Sequence, residues 1–236
     1  MLKIDKIIGP SFHQMRFVVQ GMRNPKNSWD KSDSYLMGDP YDTGDEWEFD
    51  DFILGDKDLK LMQKLIKAGP EHRKFLRQMW LGLRITAPLY WWKEFDTYKI
   101  GTTSNSCSTM HTLMDTPITM DMFSKEMLDK AMQEQFSCLV NILEFLRQIY
   151  KEGGTIDGVK YEPHDKKVWY MIIQMLPSSF NQTRNVTMNY ETVWNILCQR
   201  GNHKLSNEWG ELWIELSNAP YSGIFEQFII PSKGEE

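Results

Sequence analysis

Apolar residues recur at helical spacing in several stretches of this chain. Between Asp56 and Ala68, Leu59, Met62 and Ile66 fall on one face, with Leu61 and Leu65 beside them, which predicts an amphipathic helix. Asp56 suits its N-cap, Asp58 the positive end of its dipole, and Gly69-Pro70 its stop. Ser124 to Tyr150 reads as the longest helix, with Leu128, Ala131, Leu139, Ile142, Leu146 and Ile149 on the repeat and Gly153-Gly154 ending it. Shorter helices are expected at Pro163–Met175, Asn189–Arg200 and Glu208–Leu216. An aromatic one opens at Ala87-Pro88 and runs through Phe95, with proline in the first turn. Alternation predicts strands instead at Phe75–Ile85, where Leu81, Leu83 and Ile85 share a face, and at Thr183–Met188. Leu2–Val19 reads as a strand and its approach, and Ile156-Asp157-Gly158-Val159 as a tight hairpin. Thr102–His111 is Ser/Thr-rich and reads as a loop; residues 24–55 read as an acidic, loop-rich insertion. Interspersed strands and helices without a low-complexity linker predict one α+β domain over residues 1–236.

Composition narrows the classes of function. The 236 residues are 41% hydrophobic and 13% aromatic, as in a folded globular chain. The net charge is −5 with no long basic run, so the electrostatic footprint of a nucleic-acid polymer binder is missing. Nine Trp and fifteen Met serve core packing or a stacking surface for a ring-shaped ligand. Cys107, Cys138 and Cys198 are few, odd in number and widely spaced, which argues against a disulfide framework or a zinc site and fits a reducing cytoplasm. The acidic run from Asp30 to Asp51 lacks the ligand order of a calcium loop and reads as solvated surface, so no metal is expected. The first residues contain no apolar stretch of signal-peptide length, and no run approaches the length of a membrane span.

Four stretches carry a more specific pattern. Asp58-Leu-Lys-Leu leads to Gly69-Pro-Glu-His72. Ile85-Thr-Ala-Pro-Leu-Tyr-Trp-Trp-Lys93-Glu94-Phe-Asp-Thr97-Tyr98-Lys99-Ile-Gly101 follows. Next comes Thr103-Ser-Asn105-Ser-Cys-Ser108-Thr109-Met110. Last, Leu176-Pro177, Thr183-Arg184 and Thr187-Met188 precede Asn189, with Arg200 eleven residues beyond it. Together they resemble the flavin-dependent thymidylate synthase (ThyX) family over roughly Asp56 to Trp209. Where the family has Arg-Gln-Trp, this chain has Lys93-Glu94-Phe95. Where it has Arg-His-Arg, this chain has Thr97-Tyr98-Lys99. The signature Ser-x-Asn-x-x-Ser-x-Arg ends here in Met110, and a family Arg before Leu-Pro is Ile173. Methionine cannot donate a hydrogen bond, and an ammonium does not reproduce the forked geometry of a guanidinium.

The resemblance implies a mainly antiparallel sheet flanked by helices, assembled as a homotetramer with composite sites. It implies an enzyme that methylates, or otherwise modifies at C5, a pyrimidine deoxynucleotide such as dUMP. The methylene donor is methylenetetrahydrofolate, reduced FAD is the hydride source, and NADPH reduces the flavin. On this reading Lys93, Glu94, Asn105, Ser108, Thr109 and Arg200 surround the nucleotide, with Arg200 and the Ser108-Thr109 amides on phosphate. His72, Thr97, Tyr98, Lys99, Asn189 and His203 line the flavin pocket. Taken alone, His72 would better suit a surface position capping the start of a strand, and His203 would equally suit the negative end of a helix dipole. Glu94 in place of Gln suits a base edge bearing an extra donor such as an amino group. Cys107 is read as a packing or loop residue, and no side chain is singled out as catalytic. The alternative is a catalytically inactive ThyX-like protein that binds or sequesters a nucleotide.

Overall fold

A computed structural model describes residues 2–38 and 49–228. The chain begins with β1 (Lys3–Ile8), α1 (Phe12–Arg23), β2 (Tyr35–Gly38), β3 (Phe49–Ile53), α2 (Asp56–Ala68) and β4 (Trp80–Pro88). It continues with α3 (Leu89–Phe95), β5 (Thr102–Ser106), α4 (Thr109–Thr112), α5 (Lys130–Glu152), β6 (Gly154–Ile156) and β7 (Val159–Tyr161). α6 (Lys166–Met175), β8 (Asn181–Asn189), α7 (Tyr190–Arg200) and α8 (Ser206–Ser217) complete it, with single-turn and short 3-10 segments between. The expected α+β class, helices with antiparallel sheet, is what the structure has. The largest sheet has the order β1-β4-β8-β5, and β2-β3 and β6-β7 are antiparallel hairpins.

Several sequence expectations are corrected by local chemistry. The segment Leu2–Val19 is a strand only to Ile8. Ser11 then caps α1, its hydroxyl accepting from Gln14 N–H at 3.2 Å, and Met15, Val18, Val19 and Met22 are buried at helical spacing. The region 24–55 holds two single-turn 3-10 helices and the β2-β3 hairpin, with Leu36 opposite Phe52. Its acidic residues Asp39, Asp42, Asp45, Glu46 and Glu48 lie outside the described residues. Asp56 does not cap α2. Gly55 holds the cap position, and Asp33 reaches across to accept from Lys57 N–H at 2.9 Å and Asp58 N–H at 3.2 Å. Asp58 is instead buried beneath a different load: Arg23 Nε donates to it at 2.6 Å, as do the Ser32 and Ser34 hydroxyls at 2.6 and 2.7 Å. Arg73–Gln78 is a 3-10 segment, so the strand starts only at Trp80; its predicted face holds, with Leu81, Leu83 and Ile85 buried. Thr102–His111 is not a loop but β5 followed by α4. The longest helix starts after Asp129, whose carboxylate accepts from Met132 N–H at 2.8 Å, and α6 starts after Asp165. The predicted hairpin turn has Asp157 and Gly158 at φ 48° and 81°, as a two-residue turn of the primed type requires.

The backbone divides into two compact units. One comprises Met1–Lys3, Ile85–Thr97 and Asn105–Asn185; the other Ile4–Arg84, Tyr98–Ser104 and Val186–Glu236. In the first, α5 packs on α6, burying Val140, Leu143, Leu146 and Ile149 with Val168 and Ile172 and with Leu113, Ile118 and Phe123. Glu144 pins the incoming segment: it takes two 2.7 Å bonds from Arg147 and one from Ile118 N–H. In the second, α7 packs on α8 and on the Arg73–Gln78 segment, and Ile196, Trp209, Leu212 and Leu216 are fully buried. Among the described residues no helix is long and apolar enough to cross a membrane.

Candidate functional site

The second unit builds its polar cluster on α7. Asn189 leaves β8 in extended conformation, and its carboxamide oxygen accepts from Thr192 N–H at 2.9 Å and from the Thr192 hydroxyl at 3.1 Å. The side chain is only 7% exposed. Thr192 also donates to Ile100 O at 2.9 Å, and Asn189 N–H donates to Gly101 O at 2.8 Å. Gly101 sits at φ +74° against the Asn189 carboxamide, where a Cβ would lie 2.7 Å from Cγ. Only glycine meets both conditions. The segment 98–101 is thus docked on the first turn of α7.

The far end of the helix lies about 16 Å away at 1.5 Å per residue. There Arg200 Nε donates to the Tyr98 hydroxyl at 2.8 Å, and that hydroxyl donates to Gln199 Oε1 at 3.1 Å. The guanidinium carbon stands 4.6 Å from the Trp209 ring centre and 5.3 Å from that of Tyr98. His203 meets Trp209 at 5.8 Å, in the turn between α7 and α8. Four residues 98–101 therefore touch both ends of α7, which is how Tyr98 and Asn189 come to share one scaffold. His72 is exposed and opens the 3-10 segment, its N–H donating to Gly69 O at 3.0 Å. Beside it Arg73 and Arg77 converge on Glu191 at 3.3 and 2.5 Å. Burial would raise the Glu191 carboxyl, but the hydrogen bonds from Arg77 and Arg73 outweigh it and hold it below the usual range. Lys99 is exposed.

In the first unit α3 and the Ser-rich segment carry the remaining candidates. Lys93 is exposed and Glu94 half-buried; Thr97 closes α3 through its hydroxyl, which donates to Glu94 O at 2.7 Å. Asn105 is exposed on β5. Ser108 O accepts from Thr112 N–H at 3.0 Å and from the Thr112 hydroxyl at 2.8 Å. Thr109 Oγ1 and Cys107 O both accept from Gln182 Nε2, at 3.3 and 3.0 Å. Gln182 in turn accepts from Arg184 Nε at 2.9 Å, while Arg184 Nη1 reaches Asp96 at 2.8 Å and its guanidinium stacks 4.2 Å from the Trp92 ring centre. An open cavity of about 520 Å³ adjoins this segment, walled by Thr86, Thr112, Asp121, Phe180 and Asn181 among others. Its lining contains no cation to meet a phosphate.

No protein-family model matches the sequence, and no curated protein matches it. Solved structures do. Thymidylate synthase X (ThyX) from Helicobacter pylori with FAD and dUMP aligns over 97% of this chain and 96% of its own, at TM-score 0.59 and 16% identity. A second structure of Helicobacter pylori ThyX, complexed with FAD and dUMP, aligns over 97% and 99%, at TM-score 0.61 and 16% identity.

The chain has the ThyX fold.

Thr97, Met110 and Ile173 stand where the family's sequence pattern has arginines, and the Met110 side chain is 51% exposed. Guanidiniums do stand at Arg184, bridged to the Ser-rich segment through Gln182, and at Arg73 and Arg77. Sequence reading quoted Arg184 in its pattern but gave it no role, and it gave none to Gln182, Asp96, Arg73, Arg77 or Glu191. Gln182 and Arg184 did leave a signal, two polar residues two apart on one face of a strand. Glu191 and the two arginines are 114 to 118 positions apart and left none.

Proposed function

We propose that the protein is a flavin-dependent enzyme of ThyX type that methylates, or otherwise modifies at C5, a pyrimidine deoxynucleotide such as dUMP. The observation that carries this reading is the retention of the ThyX fold over 97% of the chain, in neighbours holding FAD and dUMP, with Arg200 caged at the end of α7. Arg200, in the second unit, would offer a phosphate its guanidinium, and the Ser108-Thr109 amides, in the first, would do so separately. Lys93, Glu94 and Asn105 would face the rest of the nucleotide. His72, Thr97, Tyr98, Lys99, Asn189 and His203 would line the flavin pocket.

The residues present suit a flavin nucleotide. Arg73 and Arg77, beside His72, offer two guanidiniums of the kind that meet a pyrophosphate, though Glu191 and Glu71 face them. Reduced FAD would supply the hydride, methylenetetrahydrofolate the one-carbon unit, and NADPH the reducing equivalents for the flavin. The working form would be a homotetramer, which sedimentation velocity checks. A second reading, a nucleotide binder without turnover, is favoured by Met110, whose exposed thioether stabilises no developing charge.

One experiment separates the two. The protein is mixed with FAD, then assayed for tritium release from C5-labelled dUMP with methylenetetrahydrofolate and NADPH, and titrated with dUMP and dCMP. Flavin uptake with tritium release supports the enzyme. Nucleotide binding without either supports the binder. Failure to bind flavin or nucleotide sinks both. A preference for dCMP would assign Glu94 to the base edge.

A further inference from the structure

We propose that the cleft between α1 and the β2-β3 hairpin is a binding site for a small aryl phosphate, a phosphate group carried on an aromatic ring. The site goes beyond the proposed function and does not rest on it. The hairpin packs on α1 and leaves two adjoining cavities, of about 190 and 280 Å³, which share Arg16, Ser34 and Phe52. The first is also walled by Arg23 and Trp29, the second by Tyr35 and Leu36. Cations therefore gather in one lobe and apolar surface in the other.

Arg16 and Arg23 stand about two turns apart on one face of α1. The Arg23 side chain is 5% exposed, yet only part of its donor set is engaged. Nε donates to Asp58 Oδ1 at 2.6 Å and Nη1 to Ser28 O at 3.2 Å. A guanidinium carries five N–H donors, so the rest of this one finds no protein acceptor among the described residues while lining the first cavity. Buried donors of this kind call for an acceptor. Asp58 balances the Arg23 charge, and its second oxygen is taken by the Ser32 and Ser34 hydroxyls. Asp33, the neighbouring carboxylate, is held by Lys57 N–H and Asp58 N–H. Arg16 is exposed and has no carboxylate partner among the described residues, so it is the surplus charge of the cleft. One oxyanion between the two arginines would give Arg23 its acceptor and Arg16 its countercharge. A phosphate, with three terminal oxygens, engages more of these donors than a carboxylate with two. The ring follows from the other lobe. Trp29 and Tyr35 are exposed at the cleft, Phe52 is buried beneath both cavities, and Trp29 is fixed by its indole N–H, which donates to Asn24 Oδ1 at 2.8 Å. Such side chains cover an aromatic ring without asking for charge.

The test titrates the full chain with phenyl phosphate, inorganic phosphate and phenol. Calorimetry reads affinity, and nitrogen-15 NMR follows the Trp29 indole N–H, assigned with Trp29→Phe. Phenyl phosphate is expected to bind more tightly than inorganic phosphate, phenol to bind more weakly than either, and the Trp29 signal to move with phenyl phosphate. Arg16 and Tyr35 are exposed, so their alanine variants should fold as wild type does. Arg16→Ala should weaken both phosphates about 10-fold or more, the loss of one charge-assisted hydrogen bond. Tyr35→Ala should weaken phenyl phosphate about 3-fold and leave inorganic phosphate unchanged. Arg200→Lys should change none of these affinities. No binding of phenyl phosphate at about 1 mM overturns the proposal. Binding that Arg16→Ala leaves unchanged, that does not move the Trp29 signal, or that Arg200→Lys abolishes lies elsewhere and overturns it too. Equal affinity for phenyl phosphate and inorganic phosphate overturns the aryl half of the site.

Discussion

Gly101→Ala isolates the contact that docks the 98–101 segment onto α7. The new methyl would stand 2.7 Å from Asn189 Cγ and 2.9 Å from Oδ1, on a backbone at φ +74°. A left-handed conformation costs a non-glycine residue about 1 kcal/mol. Asn189 cannot stay in place, so its cap on Thr192 is lost as well, at a further 1 kcal/mol or so. Residual crowding brings the total to about 2–4 kcal/mol. For a chain of this size, each kcal/mol moves Tm by about 2–4 °C, so melting should fall by about 4–16 °C. Thermal and urea unfolding of Gly101→Ala, Asn189→Ala and the double variant measure it. Asn189→Ala alone loses the cap and should cost about 1–2 kcal/mol. In the double variant the methyl finds room, so its cost should fall short of the sum by about 1–2 kcal/mol. Strict additivity, or a Gly101→Ala protein within about 0.5 kcal/mol of wild type, refutes the docking of this segment on the Asn189 cap.

Asp58→Asn leaves the Arg23 guanidinium, 5% exposed, without its countercharge, and should cost about 3–5 kcal/mol in urea unfolding; a loss below about 1 kcal/mol would contradict the buried pair. Acid stability follows from the same group. Burial would raise Asp58, but hydrogen bonds from Ser32, Ser34 and Arg23 hold it low, and Arg147 does the same for Glu144. A depressed folded value stabilises above the unfolded value of about 4 and loses that contribution as pH falls through the folded one, so unfolding free energy should be flat near neutrality and drop below about pH 4. A drop that begins near pH 6 would implicate other groups. Arg184→Lys keeps the charge but cannot serve Asp96, Gln182 and the Trp92 face together. It should cost about 1–2 kcal/mol and loosen Gln182 from Cys107 O and Thr109, and an unchanged Tm would count against that bridge.

Periodic segments were legible from sequence; segments held by distant partners were not. α2, β4's buried face, the Asp157-Gly158 turn and α7 followed from spacing because each buries a face that repeats locally. α1 was misread because Met15, Val18, Val19 and Met22 are β-branched or flexible residues set among polar ones, and the Ser11 cap was the only local sign of a helix start. The cap of α2 could not be read locally, since its donor groups meet Asp33 from 24 and 25 positions away. The two units left no linker, because the chain passes between them inside β1, β4, β5 and β8 and just after α3, where composition does not change. Of the candidate site residues, Tyr98, Arg200 and His203 gather around Trp209, and Asn189 stands at the other end of the same helix.

Those residues do not weigh equally as signs of chemistry. Asn189 caps a helix and is buried doing so, and Gly101 is demanded by φ +74° and by the carboxamide against it. Any chain adopting this fold needs something of the kind, whatever it binds. Their presence supports the fold and says little about flavin. Arg200 is different. A cation at a helix C-terminus is worth only about 0.3–1 kcal/mol to stability, and lysine would supply it. The guanidinium here is set against a phenol and an indole, more than a helix dipole asks of a cation. Structure that folding does not need is where function is to be sought. By the same standard Arg184, tied down by Asp96 and Gln182, acts by shaping the Ser-rich segment, and it is no replacement for the guanidinium missing at Met110. On the proposed reading, turnover would depend on whether the remaining cations stabilise the reacting ring, and nucleotide binding would depend first on Arg200.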